Sequence, residues 1–228
     1  LIFYLKYFII IREWFKESQS QIPEYVDETI YYLGSSYAFI WQNIKQDIFF
    51  NGNFSSKNNE FDQYLKRFSY TFKNQVNELG GYIILKNKKI ILASDIGSSP
   101  SKMFSNNYQA GALSFEIFSN NKKLISNSGY YSDKNSKFNR ISRGTALHNA
   151  LTIEDYSSCN FIKDQSSLIV DRGLKVSKKN IVFENNFWKI SGSHDGYLSK
   201  FGANYEREIE FYPEQMKFIG YDKLFRKA

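Results

Sequence analysis

From Ile2 to Phe15 the apolar residues Phe3, Tyr7, Ile10, Ile11 and Trp14 recur at spacings of three and four, the periodicity of an amphipathic helix with one apolar face. Ile22-Pro23 ends that run, because the residue before a proline is pushed out of the helical region while proline itself is tolerated at a first helical position. The same period resumes with Val26, Ile30, Leu33, Tyr37, Ile40, Trp41 and Ile44 and runs to about Lys45. Two helices across a short polar link predict an antiparallel helical hairpin. Such a hairpin cannot bury two apolar faces alone, so the pattern predicts the end of a larger helical array. Asn51-Gly52-Asn53 through Asn59 reads as a loop, and a third short helix is predicted over Glu60 to Phe72, with Phe61, Leu65, Phe68 and Phe72 in line.

At Leu79-Gly80-Gly81 the period changes. The chain beyond it is a series of short apolar or alternating runs: Tyr82–Lys86, Lys89–Ser94, Ala112–Phe118, Lys123–Asn127, Ala150–Ile153, Ile181–Glu184, Trp188–Ser191, Tyr205–Tyr212 and Met216–Gly220. Short runs separated by Asn, Gly and Ser predict antiparallel strands in a β-sandwich, with Lys86-Asn87-Lys88 and Asn120-Asn121 as tight hairpin turns. Glu206, Arg207, Glu208 and Glu210 alternate with Ile209 and Phe211 and read as the solvated face of an outer strand. The expected class is therefore α+β in sequence order, with a helical segment over 1–79 and an antiparallel β-sandwich over 80–228.

Composition narrows the partners. Among 228 residues, Tyr 17 and Phe 21 bring the aromatic share to 18%, which suits β-rich packing and also a sugar-binding cleft. A net charge of +7 and a pI of about 9.2 favour an anionic partner. The lysines sit in scattered pairs such as Lys88-Lys89, Lys122-Lys123 and Lys178-Lys179, and no basic stripe interleaved with exposed aromatics appears, so nucleic acid is not the expected partner. A single cysteine, Cys159, excludes a disulfide framework and a thiolate metal cluster. It leaves a periplasmic and a cytoplasmic setting both open. The run Leu1 to Ile11 is interrupted by Lys6 and is shorter than the roughly 20 residues that span a bilayer. It lacks the features of a signal peptide, and a chain opening on Leu is expected to be a fragment of a longer protein.

The two histidines sit in compact motifs, Arg143-Gly144-Thr145-Ala146-Leu147-His148-Asn149 and His194-Asp195-Gly196-Tyr197. Before the first come Ala110-Gly111-Ala112-Leu113-Ser114-Phe115-Glu116 and Asn127-Ser128-Gly129-Tyr130; after the second comes Phe201-Gly202. This ordered series resembles the C-terminal region of the heparinase II/III-like polysaccharide lyases, over about Gly80 to Leu224 and more loosely over the helices before it. The resemblance implies the end of an α/α toroid followed by an antiparallel β-sandwich, and β-elimination in a uronic-acid polysaccharide such as alginate or a glycosaminoglycan.

That reaction removes the proton α to a uronate carboxylate and expels the glycosidic oxygen, so it needs a base, an acid and a group that neutralises the carboxylate. Arg143 is the expected bidentate carboxylate fork, His148 a donor to the carboxylate or proton carrier, and Tyr130 or Tyr131 a proton donor. The resemblance puts the family's principal catalytic tyrosine on the toroid. No matching motif occurs in the helices here, so the chain is expected to hold only part of the active site. In the family a histidine-x-histidine pair, an aspartate and a further histidine stand where this chain has Asn107, Gln109, Asn127 and His148, and some of them hold a structural zinc. Asn107 takes the place of a substrate-neutralising histidine, which makes Asn107 and Gln109 expected substrate contacts. With amides at two of three ligand positions no zinc and no other cofactor is expected; Gln109, Asn127 and His148 are expected to form a neutral hydrogen-bonded cluster instead. His194 either faces the cleft as a substrate contact or caps its turn, and Asp195 fixes the neighbouring backbone. The alternative function is a carbohydrate-binding or structural β-domain without catalysis.

Overall fold

The computed structural model describes residues 1–42, 44–53, 59–164 and 167–226; the predicted loop after Asn53 therefore lies, over residues 54–58, outside the described residues. The chain divides into two compact units, one of Leu1–Asp47 and Ser55–Leu79, the other of Ile48–Phe54 and Gly80–Ala228. The short segment from Ile48 thus belongs with the second unit, although sequence pattern groups it with the helices.

In the first unit, α1 (Ile2–Glu17) and α2 (Glu24–Tyr37) form the helical pair. α1 stops before the proline: Gln19 takes a left-handed φ of 55°, and Ser20 and Gln19 donate back to the carbonyls of Phe15 and Lys16, a Schellman closure. Pro23, extended at ψ 136°, caps α2 rather than entering it. The buried face of α1 is Leu5 and Ile9, packed with Val26, Ile30, Tyr37 and Trp41. Phe3, Tyr7 and Trp14, which the spacing placed on the apolar face, are half or more exposed; α1 is apolar over more than one stripe, and contact with α2 chooses which stripe is buried. A five-residue π-helical turn, Ala38–Gln42, follows α2. The third helix, α3 (Asn59–Arg67), is shorter than predicted, because Ser69 turns left-handed at φ 59° and the carbonyls of Leu65 and Lys66 are closed by Tyr70 and Ser69. Asp62 ties α3 to the rest by accepting from the Tyr37 hydroxyl at 2.6 Å and the Trp41 indole at 3.2 Å. Among the described residues, no helix is long and apolar enough to cross a membrane.

The second unit is antiparallel β. Strands β2 (Tyr82–Lys86), β3 (Ile90–Asp95), β4 (Phe115–Ser119) and β5 (Lys122–Ile125) follow one another in one sheet, whose outermost member is the two-residue β1 (Glu78–Leu79). Their turns are the ones the sequence predicts. Asn120 and Asn121 both take positive φ, 47° and 62°, as a two-residue hairpin demands, and the Asn87 side chain accepts from the Lys89 and Ile90 amides. β4 begins three residues later than predicted because Gly111 to Ser114 is a turn, with Leu113 at φ 64° and the Ser114 amide donating to Gly111. A separate hairpin, β6 (Asn160–Asp164) and β7 (Ser167–Arg172), occupies sequence without an alternating pattern. The expected strand at Ala150–Ile153 is absent: Ile153 makes a lone bridge to Tyr156. The second sheet runs β11-β10-β9-β8, from β8 (Val176–Phe183), β9 (Trp188–His194), β10 (Ala203–Tyr212) and β11 (Lys217–Arg226). Both sheets feed one core, Ile83, Leu85, Leu92 and Ile117 from the first and Trp188, Tyr205 and Phe211 from the second among them.

β10 alternates strictly between buried and half-buried positions, and Arg207 stands on its inner side, not on the solvated face expected for it. Its Nε donates to Asp222 Oδ1 of β11 at 2.7 Å, one Nη donates to Asp222 Oδ2 at 2.9 Å, and the other to the Leu113 carbonyl at 3.1 Å. The Tyr205 hydroxyl also donates to Asp222. Burial raises the Asp222 carboxyl, but these donors outweigh it and leave it below its ordinary value, so its stabilising contribution is present above the unfolded carboxylate range and is lost as pH falls through the folded value. Asp222→Asn is expected to cost about 1 kcal/mol at neutral pH, modest because the carboxylate is partly solvated, and the gap to the parent should close below about pH 4; urea denaturation at the two pH values measures it.

Candidate functional site

Strand pairing places Tyr82 of β2 opposite Asp95 of β3. Just past that pair the backbones of Gly81 and Gly97 approach so closely that a Cβ on Gly81, at φ +87°, would stand 2.8 Å from the Gly97 Cα. Beside this crossing lies a cleft of about 230 Å³ whose polar lining is Asn51, Tyr82, Asp95, Ser98 and Asn107, with Phe104 and Pro100 on its apolar side. The Asn51 amide donates to the Tyr82 hydroxyl at 2.8 Å and to Asp95 Oδ2 at 2.9 Å, and the Gly97 amide donates to Asp95 Oδ1 at 2.9 Å. Asp95 is almost wholly buried. Burial pushes its carboxyl up to about 7, against the pull of the Gly97 and Asn51 hydrogen bonds and of Lys179.

Of the residues expected from sequence, Asn107 lines this cleft, and Tyr130, buried and outside the lining, reaches it through Asn107. Asn107 is exposed on its rim, and the Tyr130 hydroxyl donates to Asn107 Oδ1 at 3.2 Å, which leaves the Asn107 amide hydrogens as free donors. Tyr131, the alternative proton donor, stands outside the cleft lining, its ring against Phe138.

The other motif residues form the frame of the cleft. Arg143 is fully buried. Its guanidinium donates to the carbonyls of Tyr108 at 2.8 Å, Ser105 at 2.7 Å and Leu168 at 2.5 Å and lies 4.4 Å from the Phe161 ring centroid, so the carboxylate fork expected of it is taken up by backbone carbonyls. Thr145 Oγ1 donates to the Ala110 carbonyl at 2.7 Å, and the Ala110 amide to the Arg143 carbonyl at 2.8 Å. Gln109 is buried as well: its amide donates to the Gly129 and Ser142 carbonyls and accepts from the Gly52 amide, while its backbone amide donates to Asn51 Oδ1. Gln109 therefore holds Asn51 in place behind the surface rather than facing a substrate. His194 is buried and accepts from the Gly196 amide at Nδ1, 3.2 Å away, against the rings of Tyr205 and Tyr197; it caps its turn, and Asp195 fixes the Lys175 amide.

No hydrogen bond joins Gln109, Asn127 and His148 into the expected cluster. Asn127 accepts from the Asn149 amide and donates to Ser114. His148 is buried with neither ring nitrogen partnered, its ring where a side chain on Gly111 would be, 2.8 Å from the Cβ position. The zinc that the resemblance implies at these positions does not fit them. Both amide oxygens already accept backbone N–H groups, amides are poor zinc ligands, and among the described residues no group of three or more His, Cys, Asp or Glu can hold a metal.

Asn51, Tyr82 and Asp95 carry no motif and were not singled out by sequence. The available signal was Ser94-Asp95, a polar pair closing the apolar run Ile90-Ile91-Leu92-Ala93 in a strand buried along its whole length.

Two substitutions separate framing from chemistry. Arg143→Ala orphans two buried carbonyls and a partly buried one and is expected to cost roughly 3–5 kcal/mol, read as a large drop in denaturation midpoint; a substrate clamp would instead leave stability intact. Burial lowers His148 from 6.5 to about 4. The unfolded chain therefore binds its proton first, and the folded state loses stability as pH falls from about 6.5 toward 4, by up to about 3 kcal/mol. His148→Leu should hold its stability at pH 7 and lose that acid-side slope, which in the parent adds to that of His194, lowered by burial to about 4 in the same way, and opposes that of Asp95, raised by burial to about 7; the difference between parent and variant in pH-dependent denaturation isolates the His148 part.

Residues 76–228 match the family model for the Heparinase II/III-like C-terminal domain. No curated protein sequence matches the chain. Among solved structures, the heparan sulfate lyase HepC from Pedobacter heparinus is similar over 100% of this chain and 37% of its own, with a TM-score of 0.71 at 15% identity. A heparinase III with methylated lysines is similar over 91% of this chain and 33% of its own, with a TM-score of 0.67 at 15% identity. At that identity the likeness is one of fold, and the chain spans about a third of either structure. The match over 76–228, well over half of the sequence, carries the conclusion that this chain belongs to the heparinase II/III-like family through its C-terminal domain.

Proposed function

We infer that the chain is part of a polysaccharide lyase that cleaves an anionic, uronic-acid polysaccharide by β-elimination, and that the helices are the end of an α/α toroid followed in sequence by a β-sandwich. The family match over residues 76–228 carries this reading, and the surplus of positive charge suits an anionic polymer. The heparan sulfate on which the structurally similar lyase acts is the first substrate to try.

Within this chain the reading assigns the chemistry to the rim of the cleft. A uronate carboxylate must be neutralised before the proton α to it can leave. The Asn107 amide, oriented by the Tyr130 hydroxyl on its oxygen, has two donors for that carboxylate. It supplies hydrogen bonds without charge, a weaker electrostatic aid than an imidazolium. Tyr130 is then a positioning residue whose hydroxyl is one proton-bearing group from the substrate. Arg143, Thr145 and Gln109 hold the backbone on either side of Asn107.

The test is the ultraviolet absorbance of the unsaturated uronate product, using the full-length protein against heparan sulfate, other glycosaminoglycans and alginate. Product from one of them is expected, with Asn107→Ala lowering kcat/KM by roughly 10- to 100-fold and Tyr130→Phe by less. Glycan binding without product from any polymer would replace this reading by a non-catalytic carbohydrate-binding domain.

A further inference from the structure

The cleft holds a group for which the chemistry so far has no use. Asp95 lines it, deeply buried, and its two oxygens accept one hydrogen bond each, from Gly97 and Asn51. Around it are groups that both donate and accept, the Tyr82 and Ser98 hydroxyls and the Asn107 amide. At the lip stands Phe104, 75% exposed on a single 3-10 turn. An apolar ring at the edge of a pocket with a few convergent polar groups is the composition of a small-molecule site, and dense hydroxyl and amide donors beside an aromatic face suit a sugar ring. A volume of about 230 Å³ takes a ring, not a chain.

We propose that this cleft is a subsite for one acidic sugar of the polymer, and that Asp95 is its specificity-determining residue: as the free acid it donates a hydrogen bond to the sugar's anionic group, and as the carboxylate it repels that group. The proposal rests on the acidic-polysaccharide reading above and deepens it. Asp95 is placed to switch between the two forms near neutrality, because burial raises its carboxyl to about 7. The titratable groups around it are Tyr82 of β2, Tyr108 and Lys179 of β8. Burial raises both tyrosines well above neutrality, so among the acids of this set Asp95 is the one brought into that range. Binding an anion beside it favours the protonated form, so ligand and proton bind together.

Calorimetry of the full-length protein with a heparan sulfate tetrasaccharide, in two buffers of different ionisation enthalpy, measures that coupling. Net uptake of up to one proton is expected near pH 7.5, with affinity falling by up to about tenfold per pH unit above about 7. Asp95→Asn, which keeps a donor and cannot ionise, should bind the same tetrasaccharide with no proton uptake and a flat profile between pH 6 and 8. Cellotetraose, which is neutral, should show no pH dependence with either protein. Binding by the parent without proton uptake overturns the role of Asp95, and this measurement stands even if the variant fails to fold. Absence of tetrasaccharide binding overturns the subsite. Neither result bears on the appearance of unsaturated product, which judges the lyase reading separately.

Discussion

The buried guanidinium of Arg143 is the interaction on which the second unit's irregular half depends. The segment from Ser105 to Ala110 has no sheet partner, and its carbonyls must find donors away from water. Arg143 supplies two of them, at Ser105 and Tyr108, and reaches Leu168 of β7 with a third. A buried cation without a carboxylate is costly, and burial does lower its basicity, but a planar fork with fixed N–H directions is the side chain best matched to converging carbonyls. The Phe161 ring face offsets part of the remaining charge. Asn107 lies between the two clamped carbonyls, and its presentation at the rim follows from what is fixed on either side of it.

The same division between frame and surface runs through the other polar residues. Gln109 ties its own segment of chain to three others through its side chain and its own amide, at Asn51-Gly52, Gly129 and Ser142. Cross-linking of this sort is what a structural metal does elsewhere; here directional hydrogen bonds from one amide do it, and the geometry they impose runs on to Asn51, which in turn positions Tyr82 and Asp95. His148 shows the other side of the exchange. Its ring fills the space against Gly111 while both nitrogens go unpaired, so the side chain serves as shape.

Much of this was legible in the sequence, and the failures have physical causes. Periodicity located α1, α2 and most strands because each buries one face, and the paired asparagines at 120 and 121 announced their turn through the left-handed backbone it needs. Which stripe of α1 is buried was not legible, since a helix apolar on several sides leaves that choice to its neighbour. The hairpin β6–β7 was missed because its exposure does not alternate. For the site, motif residues were visible as unusual letters, but Arg143, His148 and His194 are unusual because they are buried polar groups, and sequence pattern does not separate a polar residue that faces backbone from one that faces a substrate. Arg207 misled for the same reason: its strand alternates as predicted, and the carboxylate of Asp222 on β11, with the Leu113 carbonyl, makes the inner side habitable for a guanidinium.

Asp95 marks where reading by residue type reaches its limit. The chain carries a net charge of +7, a long-range field that draws anions without choosing among them. A few ångströms from the cleft the field is governed instead by whatever is buried there, because low dielectric magnifies each local charge. A carboxyl at the end of a wholly buried strand, beside a tyrosine and an asparagine brought from a distant segment, puts an acid into the cleft lining of a chain whose net charge is positive. Its environment is built by pairs far apart in the chain, Asn51 with Asp95 and Gly81 with Gly97, so the chemistry of this site is a property of the tertiary fold and is written in no local motif.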